Sequence, residues 1–175
     1  YFNYSISQDL RDKKFRTEDG YQTSFAQELP IISDNNEISN AFEISKFKKL
    51  STRSDMLGKI SFYGKTINAL DDDVRVSKRL HIPSHRLRGF EKGKVGPVEN
   101  NDYIGGNYLS SLNVSTTLPN LLEDLDNLDI GFFLDAANVW GVDYDSSIDD
   151  KSKVRSSTGI ALNLMTPIGP LSFSF

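Results

Sequence analysis

Apolar and polar residues alternate with a period of two along most of this chain. Phe2, Tyr4 and Ile6 alternate with Asn3, Ser5 and Ser7. After a turn that ends at Gly20, Tyr21, Thr23, Phe25 and Leu29 alternate with Gln22, Ser24 and Glu28. The run Ser33-Asp34-Asn35-Asn36 has loop composition. A third segment, from Asn40 to Leu50, is the weakest, because Lys46, Lys48 and Lys49 crowd its end. The fourth sets Met56, Ile60 and Phe62 against Lys59, Ser61 and Lys65. Residues 68–104 show no clear period and read as one long loop. Alternation resumes with Tyr108, Leu112, Val114, Thr116 and Leu118, then Ile130, Phe132 and Leu134, then Val154, Ile160, Leu162 and Leu164. A last strand begins near Pro170. Successive strand side chains point to opposite faces, so the pattern predicts about eight antiparallel strands and no helix.

Both a soluble sandwich and a membrane barrel alternate in this way, and the polar face has to separate them. In the strands after residue 105 that face carries Asn107, Ser111, Asn113, Ser115, Asp135, Arg155, Ser157 and Asn163. Two features favour the barrel. The segments run to about 10–14 residues, whereas globular strands have a mode of about 5–6. The connections also differ in length: 33–38 and 141–152 are long and polar, while 51–54 and 166–170 are tight. Long loops on one side and short turns on the other are what an outer-membrane barrel shows. Leu112, Val114, Phe132, Leu134, Ile160 and Leu162 are then expected outside, with Asn113, Asp135 and Asn163 inside.

Composition narrows the choice. The chain has 175 residues, 38% hydrophobic and 11% aromatic, with a formal charge of −4. No bulk basic surface draws it to nucleic acid. Mean hydropathy is −0.40, and no apolar run approaches the roughly 20 residues of a spanning helix. Without cysteine there is neither a disulfide framework nor a thiolate metal site. Both ends fall inside alternating stretches, so the sequence reads as a fragment of a longer protein.

Little chemistry of the enzymatic kind is on offer. His81 and His85 flank Pro83, which blocks the helical geometry that would turn them into a metal pair. Asp71-Asp72-Asp73 lacks the spaced ligands of a calcium loop and reads as a solvated loop tip, as do Asp143, Asp145, Asp149 and Asp150. Ser84 and His85 sit in no nucleophile-elbow motif. No catalysis, cofactor or metal is expected. Trp140, at a strand end, suits an interfacial aromatic anchor.

Four stretches, in order, resemble the bacterial surface antigen family of outer-membrane proteins. Leu87-Arg88-Gly89-Phe90, then Gly96-Pro97 and Gly105-Gly106-Asn107, is similar to the family's Arg-Gly-Phe loop, which precedes a Gly-Gly strand start. Arg11-Asp12, Phe15 and Gly20 resemble its periplasmic hairpin, although Thr17 and Glu18 stand where that family has Pro and Thr. Phe132-Phe133-Leu134-Asp135 resembles the strand that supplies an acidic partner for the loop arginine. Thr166-Pro167-Ile168-Gly169-Pro170-Leu171 resembles its closing hairpin, with Pro167, Gly169 and Pro170 in the turn.

The resemblance implies a transmembrane β-barrel in a Gram-negative outer membrane, of which residues 1–175 form the C-terminal part. Four strands in 1–67 would precede an extracellular loop, 68–104, that folds back into the lumen, and about four strands would fill 105–175. It implies that Arg88 meets Asp135 on the inner wall, with Asn113 where a second acidic partner is usual. A guanidinium in a narrow lumen needs such a carboxylate, and bidentate geometry would pin a long loop. The implied activity is folding and insertion of other β-barrel proteins, with unfolded clients, accessory assembly lipoproteins and the bilayer as partners. A related translocation pore, TamA-like or of two-partner secretion, shares the same loop motif. A passive porin and a soluble β-sandwich binding module are the remaining readings.

Overall fold

A computed structural model describes residues 2–31, 36–71, 73–119, 127–148, 153–167 and 169–175. Ser33 to Asn35, Asp72, Asp149, Asp150, Ile168 and the Pro170 side chain lie outside the described residues. The strands are β1 (Phe2–Asp9), β2 (Asp19–Leu29), β3 (Glu37–Lys49), β4 (Leu57–Ala69), the short pair β5 (Val98–Glu99) and β6 (Asp102–Tyr103), then β7 (Tyr108–Leu118), β8 (Leu128–Trp140), β9 (Arg155–Thr166) and β10 (Gly169–Ser174). Eight of them form one antiparallel sheet in the order β1-β2-β3-β4-β7-β8-β9-β10. The eight pair in their order along the chain, with the β5–β6 hairpin set between β4 and β7. Among the described residues no pairing joins β1 to β10, so the sheet is open at those two edges.

The period-two pattern sorts the faces as the physics of a pleated strand requires. Val114 lies opposite Leu134 and Phe132 opposite Ile160, while Asn113 lies opposite Asp135. Phe62, Leu112, Phe132, Leu134 and Ile160 are all solvent-exposed, a continuous apolar band across four strands that only lipid or another apolar phase would cover. Asp135 is fully buried on the other face.

The structure sharpens three readings of the sequence. The weak third segment is a strand, as expected, and a full one of 13 residues. Its lysines are tolerated because Lys46 and Lys48 stay exposed near the strand end, where long side chains reach water, and Lys49 pairs with Asp55 at 2.7 Å. Connections on the tight-turn side are also not uniformly short, since 10–18 lies on the same side as 50–56. Third, the inner face is not polar throughout. Ile67, Leu109, Ala137 and Val139 are buried on it, under residues of the 70–107 segment. That segment brings Val74, Leu80, Ile82, Leu87 and Val95 into the same cluster. A lumen filled by a loop can be lined with apolar groups, whereas a water-filled one cannot.

Gly20 closes the β1–β2 hairpin with φ of 115°. A Cβ there would collide with the Leu10 carbonyl oxygen at the end of the outgoing arm. Gly20→Ala is expected to cost at least about 1–3 kcal/mol from left-handed strain, read as a lowered urea midpoint for refolding into vesicles. An unchanged midpoint would mean that the hairpin relaxes freely around the added methyl.

Candidate functional site

Residues 70–107 lie against the inner wall of the sheet, ordered by the 3₁₀ turns Val76–Lys78 and Ser84–Arg86 and by the β5–β6 hairpin. A bridge between Leu80 and Gly106 ties the two ends of the loop together. Around the Arg-Gly-Phe motif the side chains divide by chemistry. Leu87 is 1% exposed inside the apolar cluster, and Phe90 packs against that cluster. The two arginines on either side of Leu87 turn to the polar wall.

Arg88 grips Asp135 with two parallel hydrogen bonds. Its Nε donates to Oδ2 at 2.7 Å and its Nη2 to Oδ1 at 2.7 Å. The Arg88 backbone N–H adds a third, to Oδ2 at 3.1 Å. Asn113 Nδ2 donates to Oδ1 at 2.8 Å and to the Arg86 carbonyl at 2.8 Å. Asp135 is thus a buried carboxylate with one bidentate cation and two further donors, the condition under which burying a charge is tolerable. The Arg88 guanidinium stands 3.7 Å from the centre of the Phe133 ring, which covers one side of the pair. Gly89 has φ of 81°, and the reversal it permits sets Arg88 and Phe90 on their separate surfaces. Asn113, where a second acid is usual in the resembling family, contributes a donor to Asp135 rather than a second acceptor to Arg88.

A second clasp was not read from the sequence. Arg86 reaches Glu43 on β3, with Nη2 at 2.8 Å from Oε2, and lies 3.6 Å from the centre of the Tyr63 ring. Arg86 and Arg88 together tie one short stretch of loop to β3 and β8, two separate strands of the same inner face. The signal was present: Glu43 is a carboxylate inside an alternating strand, as Asp135 is.

Asp143 is no solvated loop tip. It accepts from the Val74 amide at 3.0 Å, from Asn107 Nδ2 at 2.7 Å and from Nη2 of Arg79 at 2.6 Å. The Arg79 side chain is fully buried, and its guanidinium stacks 4.6 Å from the Tyr144 ring centre. Burial pushes the Asp143 carboxyl up, but these donors outweigh it and hold the pKa below the ordinary value. A depressed carboxylate stabilises the fold above the unfolded pKa of about 3.9, and that stability is lost as pH falls through the lower folded value. Limited proteolysis of the 70–107 segment should therefore be flat from about pH 7 to about 4 and rise below it. Asp143→Asn should shrink this acid step, and a step of unchanged size would assign it to other carboxylates.

The hairpin residues Arg11 and Asp12 do not pair with each other. Arg11 donates to Asp9 at 2.8 and 2.6 Å. Asp12 accepts the amides of Glu18 at 3.0 Å and Asp19 at 3.1 Å, which hold its carboxyl below the ordinary value. Phe15 is exposed on the same hairpin. At the closing turn Pro167 leads into Gly169, whose φ is 129°, and Thr166 Oγ1 donates to the Gly169 carbonyl at 2.5 Å. Tyr108 and Trp140 face each other across β7 and β8 with ring centres 5.8 Å apart, at the loop end of the sheet. His81 and His85 join no cluster of three metal-ligating side chains among the described residues.

An antiparallel part-barrel with a lipid-compatible outer face and a loop seated on its inner wall defines an integral outer-membrane β-barrel protein. The chain belongs to the Omp85 superfamily, whose domain matches residues 1–175. It is 27% identical over 173 residues to the outer membrane protein assembly factor BamA of Neorickettsia risticii (strain Illinois), a match that covers 97% of this chain. The chain spans 23% of that relative's length. Its fold is similar to the crystal structure of BamA from Haemophilus ducreyi lacking POTRA domains 1–3, with a TM-score of 0.85 at 23% identity. That likeness covers 99% of this chain and 37% of the other.

Proposed function

We propose that this chain is the C-terminal part of the barrel of an assembly factor that folds and inserts other β-barrel proteins into the outer membrane. The observation that carries the reading is the Arg88–Asp135 clasp, which seats the Arg-Gly-Phe loop on a partly apolar inner wall. A loop fixed in this way fills the lumen that a passive porin would keep open. The work would lie in the wall itself, which lowers the barrier to insertion through strand pairing and a locally thinned bilayer, without active-site chemistry. Unfolded client barrels, accessory assembly lipoproteins and the bilayer are the partners of this reading. The loop extends to the cell exterior at its strand ends, and the 10–18 and 50–56 connections face the periplasm.

Depleting the full-length protein in its own bacterium tests it. Folded outer-membrane barrels, scored by their altered gel mobility before heating, are expected to fall together. Normal barrel insertion with loss of one secreted passenger would instead assign the protein to the translocation pores.

A further inference from the structure

A third arginine clasp lies at the opposite mouth of the lumen. In the 10–18 hairpin, Arg16 donates from Nε to Oδ2 of Asp129 at 3.2 Å and from Nη2 to Oδ1 at 2.8 Å. The partners are 113 residues apart in sequence, so the hairpin leaves the β1–β2 edge of the sheet and crosses to β8. Asp129 is 4% exposed. It precedes Asp135 by six positions on the same inner face, about 20 Å along an extended strand. One strand therefore carries two inward carboxylates, each held by an arginine from a different connection at a different end.

The hairpin is built to stay folded while it spans that gap. Asp12 ties its two arms through the Glu18 and Asp19 amides. Thr17 is buried and donates to the Lys13 carbonyl at 2.8 Å. The Lys49 amide donates to the Glu18 carbonyl at 2.6 Å and anchors the hairpin to the end of β3. Between the hairpin and the wall lies a cavity of about 280 Å³, lined by residues that include Phe15, Arg16, Phe47, Ser115, Thr117 and Asp129. Its lining comes from the hairpin on one side and from the inner face of the sheet on the other, as expected beneath a cover.

We propose that the 10–18 hairpin closes the lumen at the end opposite the 70–107 loop, and that Arg16–Asp129 is the latch that holds it shut. The latch is the more easily opened of the two closures. The Arg16 side chain is 35% exposed whereas that of Arg88 is 20%, and a wetted ion pair is weaker and more sensitive to salt. This inference needs only the barrel and does not depend on the assembly-factor reading.

The test uses the full-length protein in vesicles, with Ser115 or Ser157 replaced by cysteine as the single thiol. A polymer-linked maleimide too bulky for the closed mouth reports access. Ser115→Cys is expected to label about tenfold faster when Arg16→Ala is added, the change that about 1.4 kcal/mol produces. Ser157, which lies beside Gly89 at the other end, should label at an unchanged rate. The double variant Arg16→Asp with Asp129→Arg should return Ser115→Cys to slow labelling. Equal labelling of Ser115→Cys with and without Arg16 would overturn the latch. So would a parallel rise at both thiols, which would make the contact a general support of the fold.

Discussion

Arg88→Ala is expected to release the Arg-Gly-Phe loop from the inner wall and to cost about 3–5 kcal/mol of loop docking, the range for orphaning a buried charge. The magnitude follows from the asymmetry of the pair. Asp135 has no exposed surface, whereas Arg88 keeps 20% of its side chain in contact with solvent. Removing the arginine strands a buried carboxylate with only Asn113 and one backbone amide as donors. Removing Asp135 leaves a cation that can turn towards water, so Asp135→Ala should be the milder change. A charge swap, Arg88→Asp with Asp135→Arg, should recover only part of the loss. The Asn113 Nδ2 and the residue 88 amide are fixed donors, and an arginine at 135 would meet them as a third donor. Adding Asn113→Asp to the swap supplies an acceptor and should recover more. Protease resistance of the loop in the membrane-embedded protein is the measurement. Resistance unchanged by Arg88→Ala would show that the apolar cluster seats the loop without the clasp.

Lysine substitutions on the outer face should be nearly as costly and far more position-dependent. Phe132 and Leu134 are 54% and 52% exposed in the middle of β8, on the face away from the loop. Lysine at either is expected to cost about 2–4 kcal/mol near the bilayer midplane and about 0–1 towards the strand ends. Lys46 and Lys48 already occupy such an end position on β3. Lysine at Ser157, one face over and beside the loop glycine, should be limited by packing instead of by lipid. Folding equilibria measured in lipid vesicles would show the difference. A flat profile along β8 would mean that this face does not meet hydrocarbon.

Much of this was legible because a period of two leaves one free choice, which face is inside, and Asp135 makes it. Leu134 and Asp135 cannot both face lipid, and fixing them fixes Asn113, Val114 and Ile160 through the register. What alternation does not encode is which inward charges find each other. Asp129 and Glu43 carry the same signal as Asp135, yet their partners Arg16 and Arg86 lie in connections with no period to place them. Distance in sequence is the obstacle, since no local rule relates residues 113 apart. The apolar inner wall escaped for a related reason. Ile67, Leu109 and Val139 interrupt the polar face, and only the loop that covers them gives them apolar neighbours.

Strict neighbour-to-neighbour pairing in the sheet has a consequence for the order in which the strands can join. Most pairings close over short connections, such as 50–56 between β3 and β4, whereas β4 and β7 must meet across residues 70–107. Chain statistics make that closure about 1.5 kcal/mol less favourable than the shorter one. The Leu80–Gly106 bridge, if formed first, would shorten the effective span that β4 and β7 have to close. Once β7 is zipped to β4, the wall is continuous and the loop has only the barrel mouth to enter by. The loop is therefore expected to fold on itself first and to be carried inward as β7 docks, which makes its seating a step in building the wall.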